Sequence, residues 1–293
     1  MMEICKTDKA ITIGGFKLPS TFDAENLEVL ASSLLELPQV ECPIIHHFGP
    51  GVYAREATMP AGSLVVGHYH RFEHLNVFLK GHLTMFNENG STTDMKAPII
   101  FNSPPGQKCA FIHEEAVWMN VYSTDETDVE TLEKTYLDKD RSPSWNKWDD
   151  ILNNQSNRLP DINDYKNLIT SLGFTEEAIR LEVEKETDQI AMPLGDYKAM
   201  VSKSQIEGKG VFATANIKKG EIIGPANIEG KRTPFGRYCN HARYPNAKMV
   251  FCGDNINMVA IKSITGCKGG FVGEEITTNY IKNLQLGGDI WVE

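Results

Sequence analysis

The sequence predicts a mostly β protein in three consecutive parts. Residues 12 to 124 alternate short β-branched and aromatic runs with turn residues, residues 126 to 192 change to helical spacing, and strand runs broken by glycine turns return from Tyr197. The boundaries read as 1–125, 126–192 and 193–293, and a chain of 293 residues is long enough for two cores.

In the first part the runs are Val52 to Ala57, Leu64 to Val66, Leu75 to Leu79, Leu83 to Phe86, Pro98 to Phe101 and Val117 to Tyr122. Pro60-Ala61-Gly62, Asn89-Gly90 and Pro104-Pro105-Gly106 separate them, so an antiparallel sandwich or barrel is expected. In the second part Ser144 is a candidate cap for a helix carrying Trp145, Trp148 and Leu152. Asp164 is a candidate cap for a second helix, with Leu168 and Leu172 on one stripe and Gly173 as its stop, and Thr175 for a third carrying Ile179 and Val183. This part reads as a short helical connector. In the third part, Ala199 to Val201, Gly210 to Ala213, Glu221 to Ile223 and Met258 to Ile261 predict further short strands.

The formal net charge of −10 argues against nonspecific binding to nucleic acid or an anionic membrane, both of which need a basic field. The six cysteines have no Cys-x-x-Cys pair, and no run approaches the ~20 apolar residues that span a bilayer. The expectation is a reduced intracellular protein, cytoplasmic or nuclear, neither secreted nor membrane-bound.

Three blocks in the third part carry the chemistry: Gly208-Lys209-Gly210, then Asn240-His241 with Pro245-Asn246, then Gly273-Glu274-Glu275-Ile276-Thr277-Thr278-Asn279-Tyr280. Together and in this order they resemble the SET-domain protein lysine methyltransferases, over roughly Tyr197 to Asn283. The resemblance implies a compact SET β fold with a threaded segment at Pro245-Asn246. It implies S-adenosylmethionine as cofactor and a lysine-bearing protein as substrate. By the same resemblance Gly208, Lys209, Gly210, Asn240 and His241 bind the cofactor and Tyr280 is the catalytic tyrosine. Tyr238 and Phe235 are candidate channel walls, with core packing as the other reading, and Glu274 and Glu275 are expected to anchor loops. The chemistry requires a neutral amine. Deprotonating a free lysine at pH 7 costs about 4.6 kcal/mol, which an apolar channel beside a positive sulfonium reduces. Asn279 stands where aspartate is usual, Ala242-Arg243 replaces a frequent Ser-Cys, and no cysteine-rich cluster follows Tyr280, so the lid of the site must come from elsewhere, with Trp291 one candidate.

Gly62, His68, His70, His74 and Gly81 form a second pattern, with Pro104-Pro105-Gly106 and Cys109 further on. It resembles the two motifs of the cupins, double-stranded β-barrels that often hold one transition metal. The resemblance implies a metal held by His68, His70, His74 and Cys109, with His113 able to substitute for the cysteine. Imidazole with a thiolate suits iron, zinc or nickel. His74 and Cys109 depart from the usual Glu and His, and a barrel serving as an adaptor or homodimerisation module is the other reading. His46, His47 and His82 read as surface or packing residues. The leading function is therefore methyl transfer to a protein lysine, with a cupin-like accessory module. A metal-dependent cupin dioxygenase or isomerase with a degenerate SET module, and a noncatalytic scaffold, are the alternatives.

Overall fold

A computed structural model describes residues 4–7, 10–13, 16–138, 158–269 and 272–286. The expected helix at Ser144 with Trp145, Trp148 and Leu152 lies outside the described residues, as does Trp291. The chain is mostly β.

A hairpin of β1 (Ile4–Thr7), β2 (Ala10–Ile13) and β3 (Phe16–Lys17) precedes α1 (Ala24–Leu34), whose first turn is capped by the Asp23 side chain accepting from Asn26 N. The strands that follow are β4 (Ile44–Gly49), β5 (Val52–Met59), β6 (Leu64–Val66), β7 (His74–Phe86), β8 (Thr92–Lys96), β9 (Ile99–Ser103) and β10 (Cys109–Ser123). They join in one antiparallel sheet in the order β4-β5-β10-β7-β8, with β6 on β10 and β9 on β7. The two long strands, β7 and β10, serve both faces of the barrel. Their register shifts at Ile112, Glu114 and Val117, opposite Gly81. Gly81 has φ +102°, and a Cβ there would stand 2.4 Å from the Glu115 carbonyl oxygen, so only glycine fits this bend.

The helices α2 (Val129–Tyr136), α3 (Leu159–Ser171) and α4 (Glu176–Glu184) follow. Thr175 caps α4 as its sequence predicts. Asp164 does not cap a helix: α3 begins five residues earlier with a proline in its first turn, which leaves Asp164 in the helix interior.

The third part holds β11 (Gly195–Tyr197), β12 (Ala199–Lys203), β13 (Lys209–Ala213), β14 (Ile222–Ile228), β15 (Lys231–Arg232), α5 (Pro234–Tyr238), β16 (Asn240–His241), β17 (Ala247–Cys252), β18 (Asn255–Ala260), β19 (Glu275–Thr278) and α6 (Tyr280–Leu286). Its two small sheets run β12-β13-β19-β16 and β15-β14-β18-β17, and β16 lies parallel to β19. The boundary at 192/193 does not separate two cores. β11 adds to the barrel sheet beside β4, and Phe48, Tyr53, Tyr122 and Leu132 pack in one cluster with Val201, Val211, Ile217 and Ile276. The alternating strand pattern told where strands are but not that Tyr53 and Tyr122 of the barrel strands would complete the neighbouring core.

Candidate functional site

The three blocks of the third part meet around β19. The Asn240 carboxamide Nδ2 lies 3.1 Å from Glu207 O, 3.0 Å from Lys209 O and 2.9 Å from Glu275 Oε1, tying the glycine turn to both strands. Gly210 has no room for a side chain because its Cβ would stand 2.3 Å from Glu275 Oε1, whereas a Cβ at Gly208, φ +48°, meets nothing within 4 Å. His241 Nδ1 accepts from Tyr280 N at 3.1 Å, so its Nε2 carries the proton and donates to Asp164 Oδ2 at 2.9 Å. The Tyr280 hydroxyl donates to Cys239 O at 2.9 Å, and burial pushes its pKa far above the usual phenol range, so it stays protonated.

Glu275 is buried and accepts from Ser204 Oγ at 2.7 Å as well as from Asn240, and Glu274 Oε2 accepts from Thr265 N at 2.6 Å. Both carboxylates hold loops. The Asn246 carboxamide bridges Glu275 O and Thr277 N, each at 2.8 Å. Tyr238 lies between the Lys209 ammonium, 5.3 Å from its ring centroid, and the Arg237 guanidinium, 4.4 Å away, which also bonds its hydroxyl. Phe235 is not a channel wall. It is buried in the shared core, edge-on to Tyr197 at 5.8 Å. A cover for this cluster comes from α3 and α4: Asp164 meets His241, Arg180 meets Glu207 Oε1 at 2.8 Å, and Tyr165 packs with Ile206 and Tyr280.

The barrel encloses a cavity of about 360 Å³ that extends to α1 and to residues 37–42. Arg55, Ala57 and Met59 on β5, Leu83 and Met85 on β7, and Trp118 and Asn120 on β10 line it at a spacing of two, which identifies the inward face. A ladder of rings continues from it. His70 Nδ1 lies 2.8 Å from the Tyr122 hydroxyl, His46 Nδ1 lies 2.8 Å from the Tyr53 hydroxyl, and the two tyrosine rings stack with centroids 6.0 Å apart. Burial, with Arg55 beside them, depresses the pKa values of His46 to about 3 and His70 to about 2, so both are neutral. Desolvation lowers Lys108 to about 8.

The expected metal quartet does not assemble. His68 and His70 lie beyond β6, which ends at Val66, so the alternation that would aim them at one ion does not apply. The rings of His70 and His74 stack 4.1 Å apart at 18°, and two nearly parallel rings share no point in both planes at ligand distance. Cys109 faces the other way, into a cluster with Phe86 and Phe111 under α1, where burial holds the thiol protonated. His113, two turns of the pleat along the same face, is also outside the cavity. It joins His82 and Asp94, and the three donor atoms lie within 4.8 Å of one another, the one such group among the described residues. His82 Nε2 is 2.6 Å from Asp94 Oδ1, and His113 Nε2 is 2.7 Å from Thr84 Oγ1.

His46 packs in the core as its sequence reading allows, His82 joins the trio with Asp94 and His113, and Arg55, Lys108 and Asp164 carry no motif. Arg55 had a legible signal, since it shares strand parity with the apolar Ala57 and Met59. Asp164 had none.

No protein-family model matches the sequence, and no curated protein matches it. Solved structures do. A cupin-family protein with a double-stranded β-helix fold from Methanocaldococcus jannaschii is 16% identical over 28% of this chain and 81% of that chain, with a TM-score of 0.24. A cupin domain from Bordetella pertussis Tohama I is 18% identical over 30% of this chain and 98% of that chain, with a TM-score of 0.25. A cupin-2 domain protein from Shewanella frigidimarina is 11% identical over 32% of this chain and 92% of that chain, with a TM-score of 0.24. These are cupin-like double-stranded β folds, the class that the N-terminal strands resemble. Likeness at this identity and TM-score carries no argument about activity.

Proposed function

We propose that the third part transfers a methyl group to a lysine side chain of a protein. The observation that supports this best is the convergence of Gly208, Asn240, His241 and Tyr280, drawn from blocks up to 72 positions apart, onto the edges of one strand, β19. S-adenosylmethionine, when bound, supplies an electrophilic methyl group on a cationic sulfonium. The chain's own part is positioning. The Tyr280 hydroxyl, its proton held by Cys239 O, offers only lone pairs to an incoming amine, and so orients it. Because that phenol stays protonated it is not a general base, and the amine must arrive neutral. His241, fixed by Tyr280 N and Asp164, sets where the tyrosine backbone begins.

Incubation of the full chain with isotopically labelled cofactor and a cell lysate, followed by mass spectrometry, tests the reading. Labelled lysines that disappear with Tyr280→Phe are expected. A folded chain that neither binds the cofactor in calorimetry nor labels any protein would remove it.

A second reading places metal-dependent chemistry in the N-terminal part. The observation favouring it is the His82, Asp94 and His113 trio. Metal analysis of the purified chain is its test. Stoichiometric zinc, iron or nickel lost on His82→Ala is the supporting result.

A further inference from the structure

The barrel cavity has a charge that the rest of the chain does not share. Its lining includes Arg55 and Lys108 and no aspartate or glutamate, in a protein of formal net charge −10. The buried Arg55 Nε has no hydrogen-bond partner, and neither cation forms an ion pair among the described residues. Arg55 and Lys108 are half-buried, and a partly desolvated charge left without a counter-charge is one that an anion entering the cavity would stabilise. The register places Arg55 between His46 on β4 and Asn120 on β10, well inside the barrel wall. Ile44, Ala57, Met59, Leu83, Met85 and Trp118 give the walls an apolar stretch, the Trp118 indole N–H being already given to Asn76, while the other polar groups of the lining, among them Gln107, Asn120 and His70, are uncharged. About 360 Å³ is the size of a small-molecule site.

We infer that the barrel binds a small organic carboxylate with a hydrocarbon body, its carboxylate on the Arg55 guanidinium with Lys108 beside it and its body against the methionine and leucine walls. The planar fork of arginine matches a carboxylate's two oxygens. A multiply charged phosphate compound would leave the apolar wall unused. This inference is independent of the methyltransferase reading.

The test is calorimetry on the full chain with acetate, butyrate, hexanoate and octanoate, with 1-hexanol and hexyl phosphate as comparison probes. Saturable binding that tightens from acetate to hexanoate is expected, with hexanol at least tenfold weaker. Arg55→Met keeps the length and deletes the charge, and should weaken hexanoate by about 10- to 100-fold, the usual effect of losing a charge-assisted bond. The same variant, relieved of a half-buried charge without an ion-pair partner, should melt no lower than the wild type without ligand. Ala57→Leu keeps both cations and fills the cavity, so it should also weaken hexanoate at least tenfold. No saturable binding of any alkanoate to the folded wild type, hexanoate binding unchanged in Arg55→Met, or hexanol binding as well as hexanoate would each overturn the inference. Hexyl phosphate binding tighter than hexanoate would replace the carboxylate by a phosphoryl group and overturn it as stated.

Discussion

The barrel interior and the motif cluster around β19 handle most of their polar atoms in opposite ways, Arg237 Nε being a buried atom without a partner beside the second. Around β19, the Asn240 amide, both nitrogens of His241, the Tyr280 hydroxyl and Oε1 of Glu275 all have protein partners, and α3 lies across the face. In the barrel, His46 Nε2, His74 Nε2 and Arg55 Nε are buried without a hydrogen-bond partner, beside a cavity. Satisfied networks are scaffolding until something displaces them, whereas unmet buried atoms mark where a ligand completes the structure. The region with the most conspicuous motifs is thus the closed one, and the region with altered motifs is the open one.

The sharpest way to break this contrast is to separate the regions. A fragment beginning at Met192 would expose Val201, Val211 and Ile217 where Phe48, Tyr53 and Tyr122 now pack, and would leave β11 without β4. It should show no cooperative thermal transition. A folded, cofactor-binding fragment would show that the shared core is not needed.

Acid should act next, through the barrel. His46 and His70 have depressed pKa values when folded, so below the unfolded value near 6.5 the unfolded chain binds protons that the folded one does not. Stability is then lost as pH falls from about 6.5, by about 1.4 kcal/mol per pH unit for each histidine. Urea midpoints between pH 7.5 and 5 measure this, and His46→Gln should flatten the slope. A midpoint that does not move with pH would mean that these rings are protonated or solvated.

Asn240→Ala leaves the Glu207 and Lys209 carbonyls and the Glu275 carboxylate short of a donor, and should cost about 2–4 kcal/mol by chemical denaturation. A variant as stable as the wild type would mean that Asn240 serves a ligand and not the turn. Tyr280→Phe should cost the least stability, about 1 kcal/mol for one hydrogen bond to Cys239 O. Its rate of methyl transfer should nevertheless fall by ~10²–10³. Loss of stability without loss of rate would leave Tyr280 a packing residue.

The clustering of Gly208, Asn240 and Tyr280 was legible because each motif is local and only their meeting needed the fold. The four candidate metal ligands do not come together because the rule that His-x-His shares a face holds only on a strand, and His68 and His70 are past the end of β6. Cys109 sits at the first residue of β10, where a shift of one position decides whether a side chain enters the barrel or leaves it. Arg55 could have been read from strand parity. The contact of Asp164 with His241, 77 residues apart, could not, because nothing local in an amphipathic helix states which surface it will cover.

The position of β19 has a consequence for how the chain is made. It lies between β13 and β16, yet both of them leave the ribosome before it does. Until Thr278 has emerged, the turn at Gly208 and the pair at Asn240 have no common neighbour to hold them, and the edges of β13 and β16 stand open. A nascent chain stopped before Glu275 would therefore carry both halves of that cluster with two unpaired strand edges exposed to any other chain nearby.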